Sequence, residues 1–228
     1  MPASILKGAL PKKSPEIYYS EIKGTVWTGV VKDVSASDIF LGDIRFRISP
    51  WSLLTLRLSA LVELGDGAII GRAKVTRSLS GQYRFQTDDL YFDLSNLRGR
   101  YLILGEPIQG SARLTDFDMM FTKAGCLDIK GNIWTDFLRG PATRYDGDAF
   151  DLSGPISCEN RIIDMALDGN GDEGSASLKI NIDSTLSYQL TAKAEAHRQE
   201  VRQVLQLLGF EATQSGLTYN AVGVFKGV

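Results

Sequence analysis

Two cysteines and one histidine, Cys126, Cys158 and His197, are all the soft metal ligands and imidazole relays in a chain of 228 residues. A His/Cys zinc site needs three or four such ligands, and a Ser-His-Asp relay needs a histidine held by a carboxylate. His197 has Glu195 and Glu200 nearby, and its three-residue spacing to Glu200 imitates half of a metal pair. A lone histidine in a charge-rich segment is more simply a solvated or capping residue, so no metal is assigned to it. Asp168-Gly-Asn170-Gly-Asp172 opens like a calcium loop, which supplies oxygens from alternate residues of a tight turn. The match then fails, because Glu173 stands where glycine is needed and Lys179 where a bidentate glutamate is needed. A hairpin turn rich in Gly, Asp and Asn accounts for the same letters. Asp116, Asp118 and the run Tyr145-Asp-Gly-Asp148 offer carboxylates, but nothing in the sequence brings them together for acid–base work. No glycine pattern cradles a phosphate. The sequence predicts no catalytic residue, no metal and no cofactor.

The cysteines and tryptophans remain. Cys126 (Gly-Cys-Leu-Asp-Ile) and Cys158 (Pro-Ile-Ser-Cys-Glu-Asn) each lie in strand-like sequence. In an oxidising compartment they could form a disulfide between two strands, which the chain-entropy model values at roughly 3–4 kcal/mol. In a reducing one they would be two separate buried thiols. Both readings stand on the residues alone. Trp27, Trp51 and Trp134 are expected as packing residues of a sheet, with exposure to a ligand as the alternative.

The elements that must position these residues are strands. Leu56, Leu58, Ala60, Val62 and Leu64 alternate with Thr55, Arg57, Ser59 and Glu63, with Leu61 out of pattern. Ile44, Phe46 and Ile48 alternate with Arg45 and Arg47, as do Tyr83 and Phe85 with Gln82, Arg84 and Gln86. A period of two puts one face of each strand in the dry interior and the other in water. Turn signals at 41–43, 64–67, 80–81, 96–99 and 105–107 separate the strands, which predicts a mostly antiparallel, hairpin-linked sheet. One segment departs from this: Ala194 to Leu208 carries Ala194, Val201, Val204, Leu205 and Leu208 at helical spacing, with Gly209 where a C-cap glycine belongs. A helical turn is expected at Pro50-Trp-Ser-Leu-Leu and a short helix over Ala3 to Leu10, stopped by Pro11.

The segment Glu21-Ile-Lys-Gly24-Thr-Val-Trp27-Thr reappears as Asp128-Ile-Lys-Gly131-Asn-Ile-Trp134-Thr. Each copy reads as a strand bent at its glycine, with the Val26 and Ile133 positions facing away from Trp27 and Trp134. The expected fold is therefore mostly β: an elongated, twisted, half-rolled antiparallel sheet of two repeated halves with one short helix near the C-terminus. Residues 1–14 form a lead, and 15–228 a single β domain whose repeats span 15–120 and 121–228.

Composition sets outer limits. Lys plus Arg number 25 against 27 Asp plus Glu, a net charge of −2, which gives no basic footprint for nucleic acid. No window reaches the roughly 18 consecutive apolar residues of a membrane helix, and the most apolar stretch, Ser52 to Leu64, carries Arg57 and Glu63. The opening residues lack the basic-then-apolar run of a secretory signal.

Gly24-Thr-Val-Trp-Thr-Gly29, Ser49-Pro-Trp51-Ser-Leu-Leu54 before an alternating strand, Gly131-Asn-Ile-Trp134 after a Cys-bearing strand, and Leu205-Gln-Leu-Leu-Gly209 occur in the order that resembles protein N of the bacterial type II secretion system. The resemblance spans about residues 15 to 228. It implies a non-enzymatic accessory or scaffold component of protein export, anchored in the inner membrane by one N-terminal helix that is not in this sequence, with this domain in the periplasm. That compartment tilts Cys126 and Cys158 toward a disulfide. Implied partners are other secretion subunits, of the inner-membrane platform or the secretin, met by strand addition. The pattern is also similar to AsmA-like proteins, which implies a lipid-binding or lipid-transfer groove as the alternative. A long apolar face left uncovered would favour lipid; one closed by the 194–208 helix or the other half would favour a scaffold.

Overall fold

The computed structural model describes residues 17–36, 39–96, 102–103, 106–107, 109–144, 149–214 and 216–224. The first strands are β1 (Ile17–Tyr18), β2 (Glu21–Gly24), β3 (Thr28–Ala36), β4 (Ile39–Ile48), β5 (Arg57–Leu64), β6 (Ile69–Ser78) and β7 (Tyr83–Asp93). The small hairpin β8 (Leu102–Ile103) and β9 (Glu106–Pro107) is followed by β10 (Ser111–Thr122), β11 (Gly125–Thr135), β12 (Leu152–Glu159), β13 (Ile162–Gly171) and β14 (Gly174–Ile182). The chain ends with β15 (Ser187–Ala196), β16 (Glu211–Thr213) and β17 (Gly216–Val224). Two helices are present among the described residues, α1 (Arg139–Arg144) and α2 (Gln199–Leu207).

Apart from β8 and β9, the strands make one 15-stranded antiparallel sheet whose neighbours follow chain order almost throughout. It is open: β1 and β2 both line one edge of β3, while β17 and the short β16 end the other side.

Register assigns the faces. Val62 pairs with both Phe46 and Ala73, Phe85 with Val75 and Met119, Ile163 with Cys158 and Ile182, and Leu190 with Ile180 and Ala221. Apolar residues thus meet across every ladder on one face, while Arg45, Lys74, Arg84, Arg113, Asp164 and Lys193 stand on the other. Phe117, Cys126, Ile129 and Ile156 are buried, with Phe85, Leu114, Met119, Cys158, Ile163 and Met165 leaning over them. These side chains come from five adjacent strands. A flat single layer could not leave Ile129 only 2% exposed. The sheet must twist so that long side chains cover short ones two strands away. Each such fully buried aliphatic side chain contributes about 2 kcal/mol, and Phe85 and Phe117 add an edge-to-face contact at 6.0 Å.

A meander places its turns alternately on two rims. One rim carries the 25–27 turn, the 49–56 segment, and the tips at 79–82, 123–124, 160–161 and 183–186. The other carries the 65–68 turn, the chain between β7 and β10, the chain between β11 and β12, the 172–173 tip and α2.

The structure corrects several sequence expectations. The helix starts at Gln199 and not at Ala194. Ala194 instead pairs with Ala176 and Leu217 in β15, because a strand exit of alternating Ala and Glu also satisfies helical spacing. Gly209 does take the left-handed conformation, φ +94°. The 41–43 signal is no turn. Gly42, φ +70°, makes an irregularity inside β4 opposite Val34, and a Cβ there would stand 2.8 Å from the Asp66 carbonyl carbon. A 3-10 turn forms at Pro50–Thr55, and Leu56, φ +54°, closes it, so Leu56 is not part of the alternating strand. Of the two similar segments, 128–135 is a strand, as expected. In 21–28 the chain reverses after Gly24, and the Thr25 amide donates to the Thr28 carbonyl across a tight turn. The 3–10 segment, residues 97–99 and the 145–148 run lie outside the described residues.

Candidate interaction surfaces

Cys126 and Cys158 lie on the apolar face of β11 and β12, joined by a disulfide with their Cα atoms 6.3 Å apart. The β11–β12 ladder runs from Thr135/Leu152 to Asn132/Pro155 and ends there. Pro155 has no amide hydrogen to continue it, so the disulfide ties the two strands beyond the last hydrogen bond.

The similar glycines serve unlike purposes. At Gly24, φ +104°, a Cβ would meet the Thr28 oxygen at 2.4 Å, which blocks the reversal. At Gly131, φ +155°, it would meet Phe117 Cδ2 at 2.9 Å, where the ring folds over the strand into the core.

The tryptophans are not brought together. Trp134 sits on the polar face of β11, its indole Nε1–H donating to Asp151 at 3.2 Å. Trp27 is 41% exposed and, with Ile48, Pro50, Leu61, Arg47 and Lys74, lines a shallow cleft of about 640 Å³. Trp51 is 76% exposed on the 3-10 turn. The expectation of tryptophans packed into the sheet therefore does not hold for Trp51.

The carboxylates are structural. Asp118 accepts from Arg84 Nε at 2.8 Å, and the guanidinium holds its carboxyl below the usual carboxylate range. Arg113 does the same to Asp89, at 2.7 and 2.6 Å, and Lys32 to Asp43. Thr185, whose hydroxyl and amide both donate to Asp183, lowers that carboxyl as well. Asp116 sits exposed at an irregularity of β10 with φ +50°. Asp172 lies in the hairpin tip, where its carbonyl faces His197 Nδ1 at 2.8 Å. Among the described residues no group of three or more His, Cys, Asp or Glu could hold a metal ion. No helix among them is long and apolar enough to cross a membrane.

Two surfaces escaped the sequence reading. The outer edge of β17 is paired with β16 only over Gly216–Thr218, and Val222 and Val224 beyond are 79% and 55% exposed. The second is the cluster of Trp51, Leu53, Leu54, Leu56 and Leu79 at one rim. The leucines were visible as letters, but the alternating pattern assigned Leu56 to the dry face.

The described residues thus form an open antiparallel sheet with one polar and one apolar face. The chain matches the family model for type II secretion system (T2SS), protein N, over residues 15–219, most of its length, and belongs to that family. It is thereby a component of the type II secretion apparatus of the cell envelope. No curated protein and no solved structure matches the chain.

Proposed function

We propose that the chain is a non-enzymatic scaffold subunit that acts in the periplasm, held to the inner membrane by an N-terminal helix. It contacts the inner-membrane platform or the secretin of the type II system by strand addition at the edge of β17. The observation that carries this reading is the asymmetry of the two sheet edges. Very short strands, β1 and β2, blunt the first, which is how soluble sheets avoid unwanted pairing. Beyond Thr218, β17 meets no further strand among the described residues, and it presents valines. Such an edge gains main-chain hydrogen bonds from an extended partner segment.

A photo-crosslinker at Val224, on the same exposed stretch of β17, in cells expressing the full secretion system should yield an adduct with another secretion subunit. Val222→Lys, which leaves the sheet intact, should remove that adduct and reduce export. Adducts unaffected by Val222→Lys would refute the edge.

One observation favours a second reading, an acyl-binding groove. Helix α2 packs against β15 and β17, at the far end of the sheet from β5, so it does not close the apolar face of β5, where Leu58 is 44% exposed. Phospholipid co-purifying with the chain, and lost on Leu58→Asp, would support that reading over the scaffold.

A further inference from the structure

We propose that the rim bearing the 50–55 turn rests on a membrane surface containing anionic phospholipid. Trp51, Leu54 and Leu79 would enter the headgroup region there, and the flanking arginines would meet the phosphates. This inference stands independently of the secretion assignment.

The apolar part is a projecting tip. Trp51, Leu54, Leu56 and Leu79 are 76%, 75%, 65% and 78% exposed. They form one cluster because Arg57 pairs with Ser78, and the same register carried one residue on sets Leu56 opposite Leu79. A concentration of exposed large apolar side chains marks a docking or membrane site. Tryptophan has an apolar body and a polar N–H suited to a membrane–water boundary.

The charge part decides between a membrane and a protein groove. No Asp or Glu occurs from Ile44 to Val62 or from Ala68 to Thr87. Arg47, Arg57 and Arg77 stand at the strand ends beside the tip, exposed, with no ion pair among the described residues. Arg77 does rest over the Tyr83 ring at 5.3 Å. Away from the tip, Arg72, Arg84 and Arg113 instead hold Glu63, Asp118 and Asp89. Among the described residues Arg45, Lys74, Lys193 and Arg202 also stand without an ion pair, but dispersed over the polar face and α2, whereas Arg47, Arg57 and Arg77 lie together beside the apolar tip. Lys123 and Arg161, at later tips of the same rim, are balanced by Glu159 and Asp183. The unbalanced cations lie on three adjacent strands, about 10 Å at about 4.8 Å per strand, and flank the apolar tip, so a partner that takes both must join apolar and negatively charged groups, as an anionic membrane surface does. At the opposite rim Arg139 pairs with Asp136 and Asp151 and Arg198 with Glu173, and the further carboxylates Asp66, Asp93 and Asp172 would turn that rim away from the same surface.

Sedimentation of the 228-residue chain with vesicles tests this. Vesicles of phosphatidylcholine and phosphatidylglycerol at about 3:1 should bind it, and vesicles of phosphatidylcholine alone much less. The triple variant Arg47→Gln, Arg57→Gln, Arg77→Gln should lower partitioning on the order of a hundredfold, at about fivefold per cation. The triple variant Trp51→Ser, Leu54→Ser, Leu79→Ser should bind more weakly and lose the blue shift of tryptophan emission on vesicle addition. Leu207→Ser, on α2 at the opposite rim, should change nothing. Unaltered far-ultraviolet circular dichroism shows that the variants fold. The proposal falls if the chain ignores phosphatidylglycerol vesicles, if neither triple variant reduces binding, or if Leu207→Ser reduces it equally. Capture of an acidic protein at this rim without vesicle binding also overturns it.

Discussion

Single residues hold this sheet where its ladders give out. The disulfide substitutes for hydrogen bonding that Pro155 cannot supply between β11 and β12. The double variant Cys126→Ser, Cys158→Ser should lose about 3 kcal/mol, read from its denaturant midpoint. Wild-type protein under reducing conditions should match the double variant, and a midpoint insensitive to reductant would contradict the role given to the pair. Gly131→Ala should cost about 1–3 kcal/mol, because its Cβ would strike Phe117 and its φ disfavours a side chain. The control is Gly65→Ala, where nothing lies within 4 Å, and its midpoint should shift by less than about 0.5 kcal/mol. Equal effects at the two glycines would show that Phe117 yields to the added methyl at no cost.

At the scale of elements, much was legible because a period of two is a strong signal. Hairpins 64–67 and 80–81, the 50–55 turn and the antiparallel neighbours all follow from alternation and turn letters. The misreadings share one cause, which is that a local pattern is compatible with more than one partner. Ala194 and Ala196 fit a helix by spacing, and only the ladders supplied by β14 and β17, with Ala176 and Leu217 beside Ala194, make them strand. Gly-Thr-Val-Trp forms a turn where β3 is available to fold back on β2. The corresponding Gly-Asn-Ile-Trp is a strand because β10 and β12 flank it on both sides. An eight-residue similarity therefore does not carry a conformation. The division into repeats 15–120 and 121–228 remains a proposal, and a separately expressed 121–228 segment with a cooperative unfolding transition would support it.

The whole molecule responds to acid through three cross-strand ion pairs and one carboxylate held within a hairpin tip. Asp43, Asp89, Asp118 and Asp183 all have carboxyls held below the ordinary value near 4. A carboxyl lowered in the folded state contributes stability that is complete above its unfolded pKa, and the contribution disappears as pH falls through the folded pKa. The denaturant midpoint should therefore stay nearly level from pH 7 to about pH 5 and decline below about pH 4. The double variant Asp89→Asn, Asp118→Asn should begin lower and decline less over that range. An equally steep decline in the variant would assign the acid response to other groups. Each pair is largely exposed, so salt should shrink the difference.

What the sequence by itself determined was the architecture and the family. Strand periodicity and turn chemistry are local, and the ordered Gly-Trp, Pro-Trp and Leu-Leu-Gly motifs survive without knowledge of contacts. Only the tertiary structure decided which of two apolar sets faces water, since the alternating strands and the Trp51 tip draw on the same kinds of residue. Val62 is flanked by Phe46 and Ala73, whereas among the described residues no strand covers Trp51, Leu54 and Leu79. It also decided which cations are neutralised. Neutralisation depends on a carboxylate one strand away, far off in sequence, and that distance is set by register alone.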